Sequence, residues 1–498
     1  MTAIDAIRLA TASTSDCPLL LPKLMMTVTT VMLIMCGLVT ADQQTCPSSK
    51  CVCSGTELVD CRDRKMTSVP SFRPNNISYD TLRFSDNSIQ HIGASAFGGI
   101  RFRKLEIVNN PLKYVDPAAF SGLESTLTDI VLDLDETAVE FPHRALLPLV
   151  NLTVLKVAHY SGSELPVGAL RGLRALRELR LTSGNLETLT AADVAGQRHS
   201  LVVLDVSDNK LREFPTDAIR SLTALQVLNF HANLIEQLGG NSVVSRSLRE
   251  LDISNHALDR VGINSTAFDG VTTSLRRLVM STCHLNDRHA AAITHAASVI
   301  ELVLPFNHIT SVRTFLADMT SLERLDVQNN SVDVLTAGSL PPARRLRTLN
   351  LADNPLRRVH PHAFRQLRFL EDLKLDHATA AMPLDGSSFA SQRSTLRNLS
   401  LIGVDLSRTQ WSVINGLERL EMLSLSKCQL GNIPPFTFRH SGGQLHTIVL
   451  AGNRRYVEHF MLIFVQRVFN VLLPASPCKI QISVISAYCI VTLYKLLV

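Results

Sequence analysis

One eleven-residue phrase, Leu-x-x-Leu-x-Leu-x-x-Asn-x-Leu, constrains the fold of this chain more than any other feature. Its clearest copies read LVVLDVSDNKL, LERLDVQNNSV and LRTLNLADNPL. The Asn slot of the phrase can be followed through 16 positions that lie about 24 residues apart. These positions are Asn87, Asn110, Asp135, Tyr160, Gly184, Asn209, Asn233, His256, Cys283, Asn307, Asn330, Asn354, Ala378, Val404, Cys428 and Asn453. Such regular spacing indicates a solenoid of stacked repeats.

The phrase itself predicts how each repeat folds. Its middle Leu residues alternate with other residues, so a short strand points every second side chain inward. One repeat cannot bury that apolar row alone. Stacked neighbours therefore form a continuous parallel sheet on one side, and the variable half of each repeat returns along the other side. We expect the inward Asn to satisfy backbone groups in the turn that leaves the strand.

The repeats resemble those of the extracellular leucine-rich repeat superfamily, from about Cys46 to Asn453. Several returns carry an Ala-Phe pair similar to the typical extracellular subtype, in which the Phe packs as a spine. These pairs are Ala96-Phe97, Ala119-Phe120, Ala267-Phe268 and Ala363-Phe364. The resemblance implies an α/β solenoid, a leucine-rich repeat horseshoe of about 16 repeats with a parallel concave sheet.

Four repeats depart from the template. The third and fourth, around LTDIVLDLDETAVEF and LTVLKVAHYSG, fit it poorly. The thirteenth and fourteenth have Ala378 and Val404 in the Asn slot, where a polar side chain is expected. At these places we expect a bent sheet, an irregular loop or a different register.

The N-terminal region predicts the secretory route. An apolar run, LMMTVTTVMLIMCGLV, follows Lys23 and leads to small residues ending at Ala41, so residues 1–41 are predicted to be a signal peptide. Met25 or Met26 is an alternative start. An uncleaved anchor is the competing interpretation, although the run is short and lacks strong flanking charges. Residues 42–72 then form an N-terminal cysteine cap, residues 73–456 the repeats and residues 457–498 a hydrophobic tail.

Four cysteines in CPSSKCVCSGTELVDC, namely Cys46, Cys51, Cys53 and Cys61, read as a small disulfide framework in a secreted chain. Sequence alone allows three pairings. A zinc site is the rival interpretation, but no further His or Cys stands at metal spacing. The motif resembles the N-terminal cap of extracellular leucine-rich repeat proteins, which implies the pairs Cys46–Cys53 and Cys51–Cys61.

Cys283, Cys428 and His256 all occupy the Asn slot. Because that slot points inward, we interpret the cysteines as small buried side chains rather than reactive thiols. The 16 histidines are scattered without a spacing typical of metal ligands. We therefore predict no metal and no cofactor.

Five sequons support the secretory interpretation as acceptors for N-linked glycans. They begin at Asn76, Asn151, Asn264, Asn329 and Asn398. Asn398 lies between the first two Leu of its phrase, on the open face of the sheet. A glycan there would obstruct ligand contact around the fourteenth repeat.

The charges and motifs limit the function classes. The formal net charge is +5 over 498 residues, and basic residues alternate with acidic ones along the chain. Nucleic acid is therefore not an expected partner, and heparin-like polyanions lack support. The sequence contains no phosphate-binding loop, nucleophile elbow, paired-His helix or kinase signature, so we expect no enzyme activity.

If the chain binds a ligand, the third, fifth and seventh places of each phrase should carry the contacts, because solenoid curvature makes that surface long and continuous. A protein ligand is expected on the middle repeats. The candidate ligand-face residues are Arg180, Asp205, Asn229, His231, Glu250, Asp252, Arg277, Arg324 and Asp326. A structural role is an equal alternative for Asp205, Asp252 and Asp326. Homodimers are common among the relatives that the resemblance implies.

The tail from residue 457 admits four explanations. Ile480 to Val498 approaches the length of a membrane-spanning segment, although polar residues interrupt it. Small residues near Ala475 and Ser476 would suit a lipid-anchor signal without the usual spacer. The tail could also be a hydrophobic cap, or the end of an alternative version of a longer protein.

The resemblance implies an extracellular location, secreted or at the cell surface, and a recognition, adhesion or receptor ectodomain of the Toll, slit, chaoptin and connectin type. The alternative is a structural matrix component akin to the small leucine-rich proteoglycans. About 16 repeats exceed the usual number in that group, and no Ser-Gly cluster precedes the repeats. Recognition is therefore the leading hypothesis.

Overall fold

The computed structural model describes residues 46–74, 77–135, 141–378, 384–407, 409–431, 433–434, 437–438 and 444–453, together with the backbone of short strands between residues 481 and 490. The predicted signal peptide, most of the predicted tail and the sequon at Asn76 lie outside these residues. The chain divides into two compact units, residues 1–135 and residues 136–498.

The first unit contains the cysteine cap and the first three repeats. Its strands are β1 (Val52–Ser54), β2 (Leu58–Asp60), β3 (Ser78–Arg83), β4 (His91–Ile92), β5 (Arg101–Leu112), β6 (Tyr114–Val115) and β7 (Asp129–Leu134). β1 and β2 form an antiparallel hairpin, after which β2, β3, β5 and β7 pair in parallel. Two disulfides, Cys46–Cys53 and Cys51–Cys61, fix the hairpin. Both pairs agree with the predicted cap.

The second unit adds one strand per repeat to a parallel sheet. Its strands are β8 (Val154–Ala158), β9 (Glu178–Thr182), β10 (Val203–Asp205), β11 (Val227–Asn229), β12 (Gln237–Leu238), β13 (Glu250–Asp252), β14 (Gly262–Ile263), β15 (Arg277–Val279), β16 (Glu301–Val303), β17 (Arg324–Asp326), β18 (Val334–Leu335), β19 (Thr348–Asn350), β20 (Arg358–Val359), β21 (Asp372–Lys374), β22 (Asn398–Ser400), β23 (Met422–Ser424), β24 (Thr447–Val449), β25 (Gln481–Ser483), β26 (Ile485–Ser486) and β27 (Cys489–Ile490). The strands of successive repeats, from β8 to β24, pair in parallel register.

The returning halves of the repeats are mostly turns with a few short helices. The helices of the described residues are α1 (His143–Leu146), α2 (Thr216–Ser221), α3 (Ala290–Thr294), α4 (Arg313–Asp318) and α5 (Ser412–Asn415), with 3₁₀ turns at Ala195–Gln197, Asp287–His289 and Ala390–Gln392. Small two-stranded parallel sheets, β4–β6, β12–β14 and β18–β20, also lie in these halves. The predicted α/β leucine-rich repeat solenoid with a parallel sheet is confirmed. No helix of the described residues is both long enough and apolar enough to cross a bilayer.

The Leu residues of the phrase form the core. Leu179 and Leu181 on β9, for example, are fully buried while their strand neighbours are not. Burial of each such side chain contributes about 1.5–3 kcal/mol, so a continuous row of them holds the repeats together. The predicted Phe spine is also present. Phe97 stacks on Phe120 with 5.9 Å between ring centroids, and Phe268 and Phe364 are buried.

The Asn slot performs the predicted backbone role. Asn209 Oδ1 accepts the Leu186 N–H of the preceding repeat at 3.0 Å, and its amide donates to the Leu181 carbonyl at 2.8 Å. Asn233 repeats these contacts with Leu211 and Val206. Each Asn therefore joins two neighbouring turns that would otherwise bury unpaired polar groups.

The expected irregularities are only partly present. Next to the third repeat, the pairing of β5 with β7 shifts register between Ile107 and Leu112. The strands of the fourth, thirteenth and fourteenth repeats keep the regular register, so a register error there is not found. The loop residues 136–140 and 379–383 lie outside the described part of the chain.

Candidate binding face

The predicted ligand-face residues lie on one face of the second unit's sheet. The parallel register aligns Glu178, Val203, Val227, Glu250, Arg277, Glu301 and Arg324 as one row across adjacent strands. A second row, two residues further along each strand, contains Arg180, Asp205, Asn229, Asp252 and Asp326. We call this surface, formed by the third, fifth and seventh places of the phrase from β8 to β22 together with the eighth place that follows each strand, the strand face.

An ion-paired group covers the N-terminal part of the strand face. Glu178 Oε1 lies 2.9 Å from Lys156 Nζ and 2.7 Å from Arg180 Nε, while Arg180 Nη1 reaches Asp205 Oδ2 at 2.9 Å. Burial alone would raise the pKa of Glu178, but hydrogen bonds from Lys156 and Arg180 outweigh it and lower that pKa. Asp205 is only 4% exposed. Two of the predicted contact residues, Arg180 and Asp205, are therefore already bonded to each other.

Four of the predicted contact residues, and Asn350 at the equivalent place, hold the backbone that follows their own strand. One side-chain oxygen at the fifth place accepts the N–H of the seventh place at 2.9–3.1 Å. The acceptors are Asp205, Asn229, Asp252, Asp326 and Asn350.

Two repeats without an acceptor at the fifth place show that the N–H of the seventh place needs a hydrogen-bond partner. The tenth repeat has Val303 at that place, and the seventh place is Pro305, which carries no N–H. The ninth repeat has Val279, and the Ser281 N–H instead bonds to Ser254 Oγ of the preceding strand at 3.0 Å. The structural alternative for these Asp residues thus has a direct physical basis.

Further ion pairs lie on the middle and C-terminal repeats of the second unit. Glu301 lies 3.2 Å from Arg277 and 3.7 Å from Arg324. At the second place of the phrase, Arg347, Glu371, Arg397 and Glu421 form a ladder of alternating charge across four repeats. Most charged groups in this region therefore neutralise one another.

We call His231 and Glu250, of the seventh and eighth repeats, and Val303, Pro305 and Phe306, of the tenth repeat, the central patch. Glu250 is exposed, and no ion pair or side-chain hydrogen bond joins His231 or Glu250 to the described residues. Phe306 is 57% exposed at the end of β16, with a left-handed φ of 55°. Aromatic residues are enriched among the residues that dominate protein interfaces, so we take Phe306 as the candidate contact residue of this surface.

The sequence interpretation missed Phe306 because it considered only the third, fifth and seventh places. Phe306 occupies the eighth place, which is left-handed throughout the second unit. Elsewhere in that unit this place holds His159, Ser183, Asp208, Ala232, Asn255, Thr282, Asn329, Asp353, His377, Gly403, Lys427 and Gly452. A large aromatic residue among mostly polar or small ones was a signal available in the sequence.

The unusual slot residues are structural. Cys283 Sγ donates to the Ile253 carbonyl at 3.1 Å and Cys428 Sγ to the Leu401 carbonyl at 2.9 Å. Burial raises the pKa of both thiols to about 12, which keeps them protonated and unreactive. His256 Nδ1 lies 2.9 Å from the Ile253 carbonyl, and burial lowers the pKa of this histidine. The buried-slot interpretation of the cysteines is confirmed.

Metal ligation has no support within the described part of the chain, where no three His, Cys, Asp or Glu side chains are grouped around a common point. Of the four described sequons, Asn151 and Asn264 are exposed and Asn329 is half-buried. Asn398 is also half-buried, and its amide donates to Asp372 on the strand face. Glycosylation of all five sequons remains a prediction.

Family and sequence comparisons agree with this architecture. A family model described as leucine rich repeat matches residues 199–258 and 320–378. Podocan-like protein 1 of Homo sapiens is 27% identical over 347 residues, which cover 63% of this chain and 64% of the relative. Asporin of Bos taurus is 26% identical over 212 residues, which cover 41% of this chain and 55% of asporin. The chain thus spans less than two thirds of the length of these relatives.

Solved structures show the same fold at lower identity. The TLR13–ssRNA13 complex matches with a TM-score of 0.61 and 21% identity, over 75% of this chain and 54% of that chain. The Drosophila Toll–Spatzle complex matches with a TM-score of 0.58 and 20% identity, over 84% of this chain and 60% of that chain. The repeat register, the slot hydrogen bonds, the paired cap cysteines and these matches together show that the chain has the leucine-rich repeat fold with a disulfide-bonded N-terminal cap.

Proposed function

We propose that this chain is an extracellular, non-catalytic recognition protein that binds a protein ligand through the central patch of its strand face. The observation that carries the proposal is the exposure of Phe306, which follows Val303 and Pro305 in the repeat whose Glu301 is ion-paired with Arg277 and Arg324. Protein interfaces combine an apolar, often aromatic centre with a polar rim, and a few central residues supply most of the binding energy. The central patch and its charged surroundings have this arrangement.

Two independent observations favour an extracellular location. Disulfides such as Cys46–Cys53 and Cys51–Cys61 persist in oxidising compartments and are rare in the cytosol. The relatives podocan-like protein 1 and asporin are extracellular proteins. The predicted signal peptide fits this location, and attachment through the tail and homodimer formation remain predictions.

The ligand class is a protein rather than a nucleic acid. One structural neighbour is a complex with an RNA and the other is a complex with Spatzle, so the fold accommodates either class. A nucleic-acid groove would combine unpaired cations with several stacked aromatic side chains. The strand face instead has ion-paired cations and one exposed aromatic residue, Phe306.

Binding to cells tests the central patch. Purified full-length protein with Phe306→Asn should lose roughly tenfold or more in affinity for a ligand-bearing cell surface, because a central aromatic contact is worth about 2 kcal/mol. Asn suits the left-handed backbone, and Asn329 already occupies the equivalent place with a φ of 51°. The matched control is Tyr114→Thr, which removes an aromatic residue of 52% exposure from the first unit. Equal binding by the wild type and the Phe306→Asn variant would contradict the assignment of the patch.

Cell fractionation tests the location. With an internal tag, the full chain should appear as disulfide-bonded protein in the medium or on the cell surface. Lipase release would separate a lipid anchor from other membrane attachment. Cytosolic protein with reduced Cys46, Cys51, Cys53 and Cys61 would refute the extracellular proposal.

The similarity to podocan-like protein 1 and asporin favours one alternative function, a structural matrix component of the small leucine-rich proteoglycan type. Binding of the purified chain to fibrillar collagen distinguishes the two functions. Collagen binding that survives Phe306→Asn would support the matrix role, whereas cell-surface binding that depends on Phe306 would support recognition.

A further inference from the structure

Several arginines of the second unit recur at one place of the repeat. Four repeats have an arginine in the turn that enters the strand, ten residues before the Asn slot. These are Arg174, Arg246, Arg344 and Arg368. Across repeats 5 to 15, the same position holds a single acidic residue, Glu418, which is ion-paired with Arg393 at 2.9 Å. Because the period stacks equivalent places on one another, the arginines of adjacent repeats, Arg344 and Arg368, come next to each other.

The arginines are densest in the twelfth and thirteenth repeats. Thr348 of β19 aligns with Asp372 of β21, so the preceding turns are neighbours in space. The two turns have the same hydrogen bond, from Leu346 N to Ala343 O and from Leu370 N to Leu367 O, each 3.3 Å long. Equivalent residues of the two turns therefore lie about one strand spacing apart, roughly 5 Å.

This arrangement brings together Arg344, Arg345, Arg365, Arg368 and Phe369, which we call the basic patch. All four arginines are exposed, and Phe369 is 52% exposed. None of the four guanidinium groups has an acidic partner among the described residues. The nearest acidic residue in sequence, Glu371, is bonded to Arg347 and Arg397 instead.

Unpaired arginines at this spacing repel one another, and an anion with several charges would remove that repulsion. Each guanidinium presents a planar fork that can donate two hydrogen bonds to one oxyanion. Phe369 adds an apolar surface among these donors, on which the face of a sugar ring can pack. The combination of several oxyanions with an apolar face is that of a sulfated polysaccharide.

We infer that the basic patch binds a sulfated glycosaminoglycan chain. This inference rests on the proposed extracellular location, where such chains are presented. A linear polymer with repeating charges can contact the unpaired arginines of two adjacent turns at once, whereas a folded acidic protein presents its charges irregularly. A nucleic-acid strand would stack its bases on several aromatic residues, and the patch offers one. The strand face stays free for the protein ligand.

Heparin affinity of the purified full-length chain tests the inference. The patch variant carries Arg344→Gln, Arg345→Gln, Arg365→Gln and Arg368→Gln. The control variant removes the same charge from exposed arginines that follow the slot, by Arg212→Gln, Arg260→Gln, Arg357→Gln and Arg358→Gln. Circular dichroism should show equal folding of both variants.

The wild type should bind immobilised heparin, with an affinity that falls as salt rises. The patch variant should bind roughly ten- to hundredfold more weakly, and the control variant should change less than about threefold. Three results would overturn the inference: equal losses in both variants, unchanged binding to fully desulfated heparin, or tighter binding to polyglutamate or single-stranded RNA than to heparin.

The outcome is separable from that of the proposed function. The Phe306→Asn variant should bind heparin like the wild type, because Phe306 lies at the opposite end of the strands from the basic patch. A secreted chain that fails to bind heparin would refute the patch alone. A cytosolic chain that binds heparin through these arginines would refute the proposed function alone.

Discussion

The pairing of Tyr160 with Gly184 should be measurable as a coupling between two neighbouring repeats. Tyr160 fills its own slot, extends across the slot of the next repeat and donates its hydroxyl to Asn209 Oδ1 at 2.9 Å. A Cβ added at Gly184 would lie 2.6 Å from Cε1 and Cζ of the Tyr160 ring and 3.0 Å from Asn209 Oδ1. Because Tyr160 is only 2% exposed, its ring has no space into which to move. The missing side chain at Gly184 is thus the space that the tyrosine uses.

The magnitude follows from that contact. Gly184→Ala should destabilise these repeats by about 1–2 kcal/mol, since overpacking costs about 1–3 kcal/mol and the lower entropy of the unfolded chain returns about 0.4–1 kcal/mol. Tyr160→Ala should cost about 3–5 kcal/mol, as for other buried aromatic residues. In that variant the Gly184→Ala methyl enters vacated space and should stabilise slightly. We therefore expect a coupling of about 2 kcal/mol in favour of the double variant.

Local hydrogen exchange is the suitable assay, because a long repeat array does not unfold in one step. Opening free energies are measured by mass spectrometry for peptides of repeats 4 to 6, in the wild type, both single variants and the double variant. The matched control is Gly93→Ala, since a Cβ at Gly93 would meet nothing within 4 Å and should be neutral or slightly stabilising. Additive effects of Tyr160→Ala and Gly184→Ala would refute the claim that the two residues share one space.

Three further predictions test the slot and the strand face. Burial lowers the pKa of His256 below its ordinary 6.5, so the unfolded chain binds a proton there more readily and stability should fall as the pH drops below about 6.5. The loss of stability between about pH 7.5 and about pH 5, measured by denaturation, should be smaller in the His256→Asn variant than in the wild type. Burial raises the thiol pKa values of Cys283 and Cys428 to about 12, so both should resist alkylation at neutral pH in the folded chain and react after unfolding. Mass spectrometry measures the labelling, and fast labelling of the folded protein would contradict their burial. Asp326→Ala should lower the opening free energy of the eleventh repeat, measured by hydrogen exchange, by about 0.5–1.5 kcal/mol through loss of the bond to the Gln328 N–H. Asp326→Asn should be close to neutral, and equal costs would argue against the backbone role.

The features that sequence predicted well are periodic or local. The role of Asn209 depends on its place in the phrase and on identical turns in the adjacent repeats, so the pattern alone specifies its partners. The cap disulfides join cysteines 7 and 10 residues apart, and the resemblance supplied the pairing that spacing left open. Neither prediction required knowledge of how particular side chains pack.

The features that sequence missed depend on side chains in different repeats. In the sequence alone, Gly184 and Tyr160 both depart from the slot template. In the structure the Tyr160 ring occupies the space beside Gly184, and the Tyr160 hydroxyl donates to Asn209. The two departures from the template are one compensated unit. A template score counts each as a defect, because it compares each place with an average rather than with its neighbour.

The same limit affects the prediction of the binding face. Nine polar residues were selected because strand geometry exposes their places, yet Arg180 is bonded to Asp205, and Asp252 and Asp326 hold their own backbone. A charged group already bonded within the fold has less to offer a ligand, since binding must first break or share that bond. The groups left without partners, Phe306 on the strand face and the arginines of the basic patch, are therefore the stronger candidates for contact. In this solenoid, exposed side chains that bond to no other residue of the fold are a better guide to a ligand site than the exposed places of the phrase are.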